Sequence, residues 1–327
     1  MTTSAPTTDE DFLLLVEPLR RELTAHCYRM LGSVHDAEDL VQETYLRAWR
    51  SYHGFENRSS LRTWMYQIAT NVCLTALQSK SRRPLPTGLG QPASDPSGRL
   101  ESRPEVSWLE PMPDSVLWGN KADNDPASQV VSRESVRLAF VAALQHLTPQ
   151  QRAVLIFRDV LAWQASEVAA ALDMTTAGVN STLQRARAHV ARLTPEEDPA
   201  PLDDAHTTEL LEGYVAAFEN YDVSRIVELL TSDAVWEMPP FTGWYQGADA
   251  IGRLIATACP AEKPGDMKLL PTSANGQPAF AVYMRGKDGV HRPFQIQQLT
   301  LAGSGVSHVT TYFDLSLFDT FGLPETL

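Results

Sequence analysis

Apolar residues recur at three- and four-residue steps in several stretches of this chain, and each such stretch predicts an amphipathic helix. In SVHDAEDLVQETYLRAWR (33–50), Val34, Ala37, Val41, Tyr45 and Ala48 make one buried stripe, and Ser33 with Asp36 has capping-box spacing. SSLRTWMYQIATNVCLTALQSK (59–80) predicts a second helix, with Leu61, Trp64, Ile68, Val72 and Leu77 near one face. Thr148, Pro149 and Gln151 supply an N-cap, an N1 proline and an N3 glutamine. QASEVAAAL (164–172), a turn at Asp173, Met174 and Thr175, and TTAGVNSTLQRARAHV (175–190) then read as helix, short turn, helix. In the last of these Val179, Leu183, Ala186 and Val190 face inward, leaving Asn180, Ser181, Gln184, Arg185 and Arg187 outward.

From His206 the period changes. TTELLEGYVAAFEN buries Leu211, Tyr214, Val215 and Phe218, VSRIVELL makes a second short helix, AVWEM alternates as a strand, and DAIGRLIATA returns to helix. LLPTSA, a hairpin signal at Asn275-Gly276, AFAVYMR, a turn at Lys287-Asp288-Gly289, RPFQIQQLTLA and VSHVTTYFD follow. Helices followed by an antiparallel meander make an α+β domain.

Proline divides these units. Residues 84–131 are too rich in Pro, Gly and Ser for a regular element and read as a linker; TPEEDPAPLDD (194–204) is a second, short and acidic. The expected organisation is a helical domain at 10–83, the linker at 84–131, a helix-turn-helix domain at 132–193, a linker at 194–205 and an α+β domain at 206–327. At 43% hydrophobic and 20% charged residues, the chain is globular in composition. Neither a signal peptide nor an apolar run near 18 residues is seen, so a cytoplasmic protein is expected, with no membrane association. Cys27, Cys73 and Cys259 match no metal spacing, and no cofactor or metal is expected.

The net charge of -13 is uneven. The last third is strongly acidic, whereas 132–193 carries seven basic and four acidic side chains. A buried stripe that docks a helix, with short polar side chains near its N-terminus, is helix-turn-helix logic, and favours DNA over a three-helix bundle with a solvated basic face. In the first unit Asp36, Asp39 and Glu43 share a face. Complementing the helix dipole explains Asp36 and Asp39 but not Glu43 or the exposed Leu46. Phe55, Arg58, Arg62, Trp64 and Asn71, then Lys80, Arg82 and Arg83, mix rings, amides and cations as single-stranded nucleic acid binding requires.

DAEDLVQETYLRAWR, LRTWMYQIATN and the helix-turn-helix ending LQRARAHV resemble, in order and spacing, the two regions of a bacterial sigma-70 family factor of the extracytoplasmic-function (ECF) type. The resemblance implies a promoter-specificity subunit of RNA polymerase rather than an enzyme, partnered by the beta-prime and beta subunits and by promoter DNA. By position, Asp36, Glu38, Asp39, Leu40, Gln42 and Glu43 would face polymerase. Phe55, Arg58, Arg62, Ile68, Asn71, Lys80, Arg82 and Arg83 would serve the minus-ten element, with Trp64 in the core. Thr176, Asn180, Ser181, Gln184, Arg185 and Arg187 would serve minus-35. Asn180 and Thr182 stand where the family often has basic residues, which implies a different minus-35 sequence.

WLEPMPD (108–114) is similar to a motif of sigma factors fused to a SnoaL-like domain, so Trp108, Leu109, Glu110 and Pro111 are expected at an interdomain contact. The third unit looks like that SnoaL-like branch of the NTF2-like fold, a cone of curved sheet around a pocket that could hold a small-molecule ligand. Trp236, Glu237, Met238, Trp244, His291 and Asp314 are its candidate pocket residues, with His308 a further ionisable group and Tyr245 at the mouth. The rival readings are a SnoaL-like isomerase or hydrolase tethered to DNA-binding helices, and an ordinary helix-turn-helix repressor.

Overall fold

In the computed structural model of the chain, helix α2 (Arg20–Leu31) is the axis of the helical part, with every residue from Leu23 to Leu31 buried. The residues described are 9–55, 59–79, 82–118, 133–193, 204–303 and 305–327. Gly32, at a φ of 72°, ends α2 in the left-handed conformation that glycine adopts without strain. A Cβ there would lie 2.7 Å from the Leu109 side chain, so close packing excludes a larger residue as well.

The chain forms two compact units whose borders differ from those expected. One comprises residues 1–83 and 109–195, the other 84–108 and 196–327. The two helical modules are therefore one body, and the segment read as a linker is divided between the units at the Trp108–Leu109 bond.

In the helical unit α1 (Asp9–Val16), α2, α3 (Val34–Ser51) and α4 (Leu61–Leu77) form the first module, joined by the short α5 (Asp114–Trp118). The predicted stripe of α3 is buried throughout. In α4 the core is made instead by Met65, Tyr66, Ala69, Thr70, Val72 and Cys73, while Leu61, Trp64 and Ile68 are half-buried. The predicted stripe was rotated by about one position, because α4 packs on both α2 and α3 and needs a wider apolar face. The second module contains α6 (Leu138–Leu144), α7 (Pro149–Leu155), α8 (Ala165–Ala171) and α9 (Thr176–Val190). Thr148 and Gln151 close the predicted capping box on α7, which runs into a π-turn at Ile156–Val160.

The other unit carries α10 (Asp204–Glu219), α11 (Val223–Leu229), β1 (Leu230–Glu237), β2 (Trp244–Gln246), α12 (Ala248–Ala258), β3 (Met267–Ala274), β4 (Gln277–Arg285), β5 (His291–Ala302), β6 (Gly305–Tyr312) and α13 (Ser316–Thr320). The six strands lie in the order β2-β1-β6-β5-β4-β3. β3 to β6 form the expected meander, turning at Asn275 and Gly276 with φ of 55° and 71°. β1, however, pairs parallel with β6. In α10 the inward residues are Leu210, Tyr214, Ala217 and Phe218, with Leu211 and Val215 at the margin.

Residues 84–108 form a strap bound to this sheet unit. Backbone bonds join Ser94 N to Trp244 O (2.7 Å), Thr242 N to Glu101 O (2.9 Å) and Arg103 N to Pro240 O (2.9 Å). Gln91 donates to Thr242 O, and the Trp244 indole donates to Gln91 O at 3.0 Å. Proline and glycine limit regular structure here to a 3-10 turn at Pro86–Leu89 and a single bridge between Ser102 and Phe241, yet its free amides still find partners in the sheet.

Candidate functional site

The α3 face is built from its N-terminus. Ser33 caps the helix, its Oγ accepting from Asp36 N at 3.1 Å. The same hydroxyl donates to Glu110 Oε2 (2.8 Å), which also accepts from Val34 N (3.0 Å). A carboxylate there satisfies orphan amides and opposes the positive end of the helix dipole. Arg83 then bridges Glu110 Oε1 at 3.3 Å and Asp36 Oδ2 at 2.7 Å, with all three side chains less than a fifth exposed.

Asp36, expected at polymerase, and Arg83, expected at DNA, are thus paired with each other. Leu40 is half-buried, whereas Glu38, Asp39 and Gln42 are exposed. Glu43 accepts from Arg47 at 2.7 Å, and Leu46 is 51% exposed, so Asp39, Gln42, Glu43 and Leu46 form the open stripe at helical spacing.

Around α4, Phe55 stacks on Trp64 with centroids 4.8 Å apart, which leaves Trp64 half-buried rather than in the core. Asn71 is exposed and Ile68 half-buried. The arginines are engaged within the unit: Arg62 Nε donates to both Glu22 oxygens (3.0 and 2.8 Å), and Arg82 donates to His146 Nδ1 at 3.1 Å. Arg58 and Lys80 lie outside the described residues.

On α9, Val179, Leu183 and Ala186 are buried, with Thr182, and Val190 is half-buried. Thr176, Asn180, Ser181, Gln184, Arg185 and Arg187 are all exposed. Thr175 caps the helix by accepting from Gly178 N at 3.0 Å. Arg187 is held by Asp159 of the π-turn through bonds of 2.9 and 2.6 Å, a partner that the sequence reading did not assign.

A buried seam joins the two helical modules, and sequence patterning did not disclose it. His26 of α2 bonds Thr70 Oγ1 at 2.9 Å, and its ring centroid lies 5.5 Å from that of Phe157. Burial, and then the Arg29 charge, push the imidazole down to about 3. Arg29 donates to Ser135 O (3.1 Å) and Ser135 Oγ (2.8 Å). Arg152 donates to Met30 O and to Gln145 Oε1. Burial lowers both guanidinium groups to about 10.

In the sheet unit a cavity of about 340 Å³ opens between α10, α12 and the concave sheet. Of the candidate pocket residues only Trp236 and Met238 line it. Glu237, next along β1, points to the opposite face, where it accepts from Thr87 N (3.0 Å), Thr87 Oγ1 (2.9 Å) and His308 Nε2 (2.7 Å). His291 bonds Gly265 O at 2.9 Å, Asp314 caps the turn at Ser316, and Trp244 holds the strap. The reason is the strand period: Trp236 and Met238 share one face, and Glu237 must take the other. Tyr245 is buried.

The WLEPMPD residues are anchored within their own units. Trp108 Nε1 donates to Arg103 O at 3.0 Å, Leu109 is fully buried in the helical unit, Glu110 caps α3, and Pro111 is buried beside it. Among the described residues no helix is long and apolar enough to cross a membrane.

Comparison with known proteins places these features. Residues 15–83 match the family Sigma-70 region 2, residues 137–190 match Sigma-70, region 4, and residues 211–311 match the SnoaL-like domain. The chain is 59% identical over 320 residues to ECF RNA polymerase sigma factor SigG of Mycobacterium tuberculosis (strain CDC 1551 / Oshkosh), covering 97% of this chain and 85% of that protein. It is 30% identical over 260 residues to SigJ of Mycobacterium tuberculosis (strain ATCC 25618 / H37Rv), covering 76% and 73%. The crystal structure of Mycobacterium tuberculosis SigJ shares the fold, with a TM-score of 0.60 at 24% identity over 96% of this chain and 99% of that one. With both sigma regions in order and a relative this similar across nearly its whole length, the chain belongs to the ECF RNA polymerase sigma factors, in a form that carries a C-terminal SnoaL-like domain.

Proposed function

We propose that this sigma factor binds core RNA polymerase through Asp39, Gln42, Glu43 and Leu46, and that its helical unit is closed at rest and opens there. As a sigma factor it directs promoter-specific initiation. The observation that carries the closed reading is the buried seam made by His26, Arg29 and Arg152. Promoter elements nominally 25 base pairs apart are separated by about 85 Å of duplex at ~3.4 Å per step. A compact body of about 170 residues is only ~40 Å across, so it must part before both elements can be read together. Among the described residues neither arginine has a carboxylate partner in the seam; both are held by backbone and side-chain oxygens, an arrangement costly enough to be reversible.

Charge supports the dependence on polymerase. A body of -13 meets free DNA with net repulsion, whereas docking on core enzyme holds α9 at its site at high effective concentration. Modulation in cis by the SnoaL-like domain is part of the proposal, with the strap as the segment through which it acts. The test is co-purification with core polymerase followed by run-off transcription. Asp39→Arg with Glu43→Arg should abolish both; retention of the complex by that double variant would overturn the docking surface. Glu237→Leu, which removes the strap's anchor at Thr87, should alter transcript yield at unchanged polymerase binding. Unaltered yield would remove the cis modulation.

A further inference from the structure

The walls of the cavity specify what it can hold. At about 340 Å³ it lies near the lower end of small-molecule pockets, which span about 300–1,000 Å³. Phe218, Met238, Leu254, Ile255 and Phe294 make it largely apolar, and among the described residues its lining includes no carboxylate, imidazole, ammonium or guanidinium group. An ionised ligand would be buried without a counter-charge.

Trp236, Gln295 and Gln297 bring polar side chains to the apolar walls. The Trp236 indole N–H and the Gln297 amide N–H line the cavity, are 3% and 0% exposed as residues, and have no hydrogen-bond partner among the described residues. Tyr214 OH donates to Gln297 Oε1 at 2.9 Å, which fixes the amide with its nitrogen free to donate. Buried donors are almost always paired, so two unpaired ones on one cavity wall require an explanation.

We propose that the cavity binds a neutral, largely apolar small molecule whose carbonyl or ether oxygens accept from Trp236 and Gln297. One wall belongs to the strap: Leu100 lines the cavity, between Pro96, whose carbonyl accepts from Thr257 at 3.2 Å, and Glu101, whose carbonyl accepts from Thr242 N. A bound molecule therefore touches the segment that runs on to the helical unit, and its regulatory consequence rests on the cis modulation proposed above.

Binding is measured on the full chain without polymerase, by displacement of Nile red, a neutral solvatochromic dye. Fluorenone and fluorene share a carbon skeleton and differ by one carbonyl oxygen. Fluorenone should displace the dye at least tenfold more effectively, because a site built to donate rejects the analogue that lacks the acceptor. Trp236→Phe and Gln297→Leu should each narrow that ratio, and Ala258→Trp, placed at the cavity lining, should abolish dye binding. Equal displacement by the two compounds, better displacement by fluorene-9-carboxylate, or dye binding unaffected by Ala258→Trp would overturn the proposal. Run-off transcription with and without fluorenone then tests the regulatory step separately. A ligand that binds in the first assay and leaves transcription unchanged would overturn the coupling while the site stands.

Discussion

Arg187, expected to serve the minus-35 element, is gripped by Asp159, with both guanidinium bonds directed at one carboxylate. Asp159 thereby raises the affinity of Arg187 for its proton and offsets its charge toward an incoming anion. Asp159→Asn should free the arginine at little cost to the fold, since an exposed pair contributes only ~0.2–1 kcal/mol. In a complex with core polymerase, binding to a minus-35 duplex should tighten, and the salt dependence should steepen by about one counterion. An unchanged salt slope would mean that Arg187 does not approach phosphate.

Glu110 offers a separable test of cap and charge. Glu110→Ala removes the acceptor of Ser33 Oγ and Val34 N and takes from Arg83 its bond to Glu110 Oε1, while the bond to Asp36 stays. It should destabilise the helical unit by about 2 kcal/mol, and Glu110→Gln by about half of that, read by urea denaturation. Equal losses would assign the effect to packing rather than to charge.

His26 makes the seam sensitive to acid. Burial depresses its folded value to about 3 from the usual 6.5, so between these limits the unfolded chain binds the extra proton. Its contribution is therefore complete above pH ~7 and is lost as the pH falls, by ~1.4 kcal/mol per unit. Between pH 6.5 and 5 the wild type should lose about 2 kcal/mol more than His26→Gln, measured by urea denaturation at each pH. Parallel pH profiles would show that the imidazole carries no linkage.

The strap depends on Glu237, a fully buried carboxylate that accepts two bonds from Thr87. Thr87→Val keeps the shape and removes the hydroxyl donor, at a cost of about 1–3 kcal/mol for the bond left unmade. Limited proteolysis should then cleave within residues 84–108 at a rate several-fold above wild type. Protection equal to wild type would mean that the backbone bonds at Ser94, Glu101 and Arg103 suffice.

Helices, turns and class were legible along the chain because they obey local rules. The α3 stripe needs only a 3.6-residue period, the α7 capping box three residues, and the Asn275-Gly276 turn two positive φ angles. The sigma regions were legible as an ordered set of motifs, and the exposed face of α9 followed from which of its residues were apolar. In the pocket, Trp236 and Met238 were legible but Glu237 was not separated from them, because the strand alternation shows two faces without naming the inner one.

What sequence alone determined is therefore the family, the existence of most elements and the polarity of their faces. Tertiary structure alone decided the partners: Arg83 with Asp36 and Glu110, Arg187 with Asp159, Thr87 with Glu237, and His26 against Phe157. Each pair joins residues tens of positions apart, and whether a charge is spent internally or offered to a partner depends on which side chain the fold brings within 3–4 Å. Periodicity carries no information about that distance, so the same arginine reads alike whether it is free or already bound.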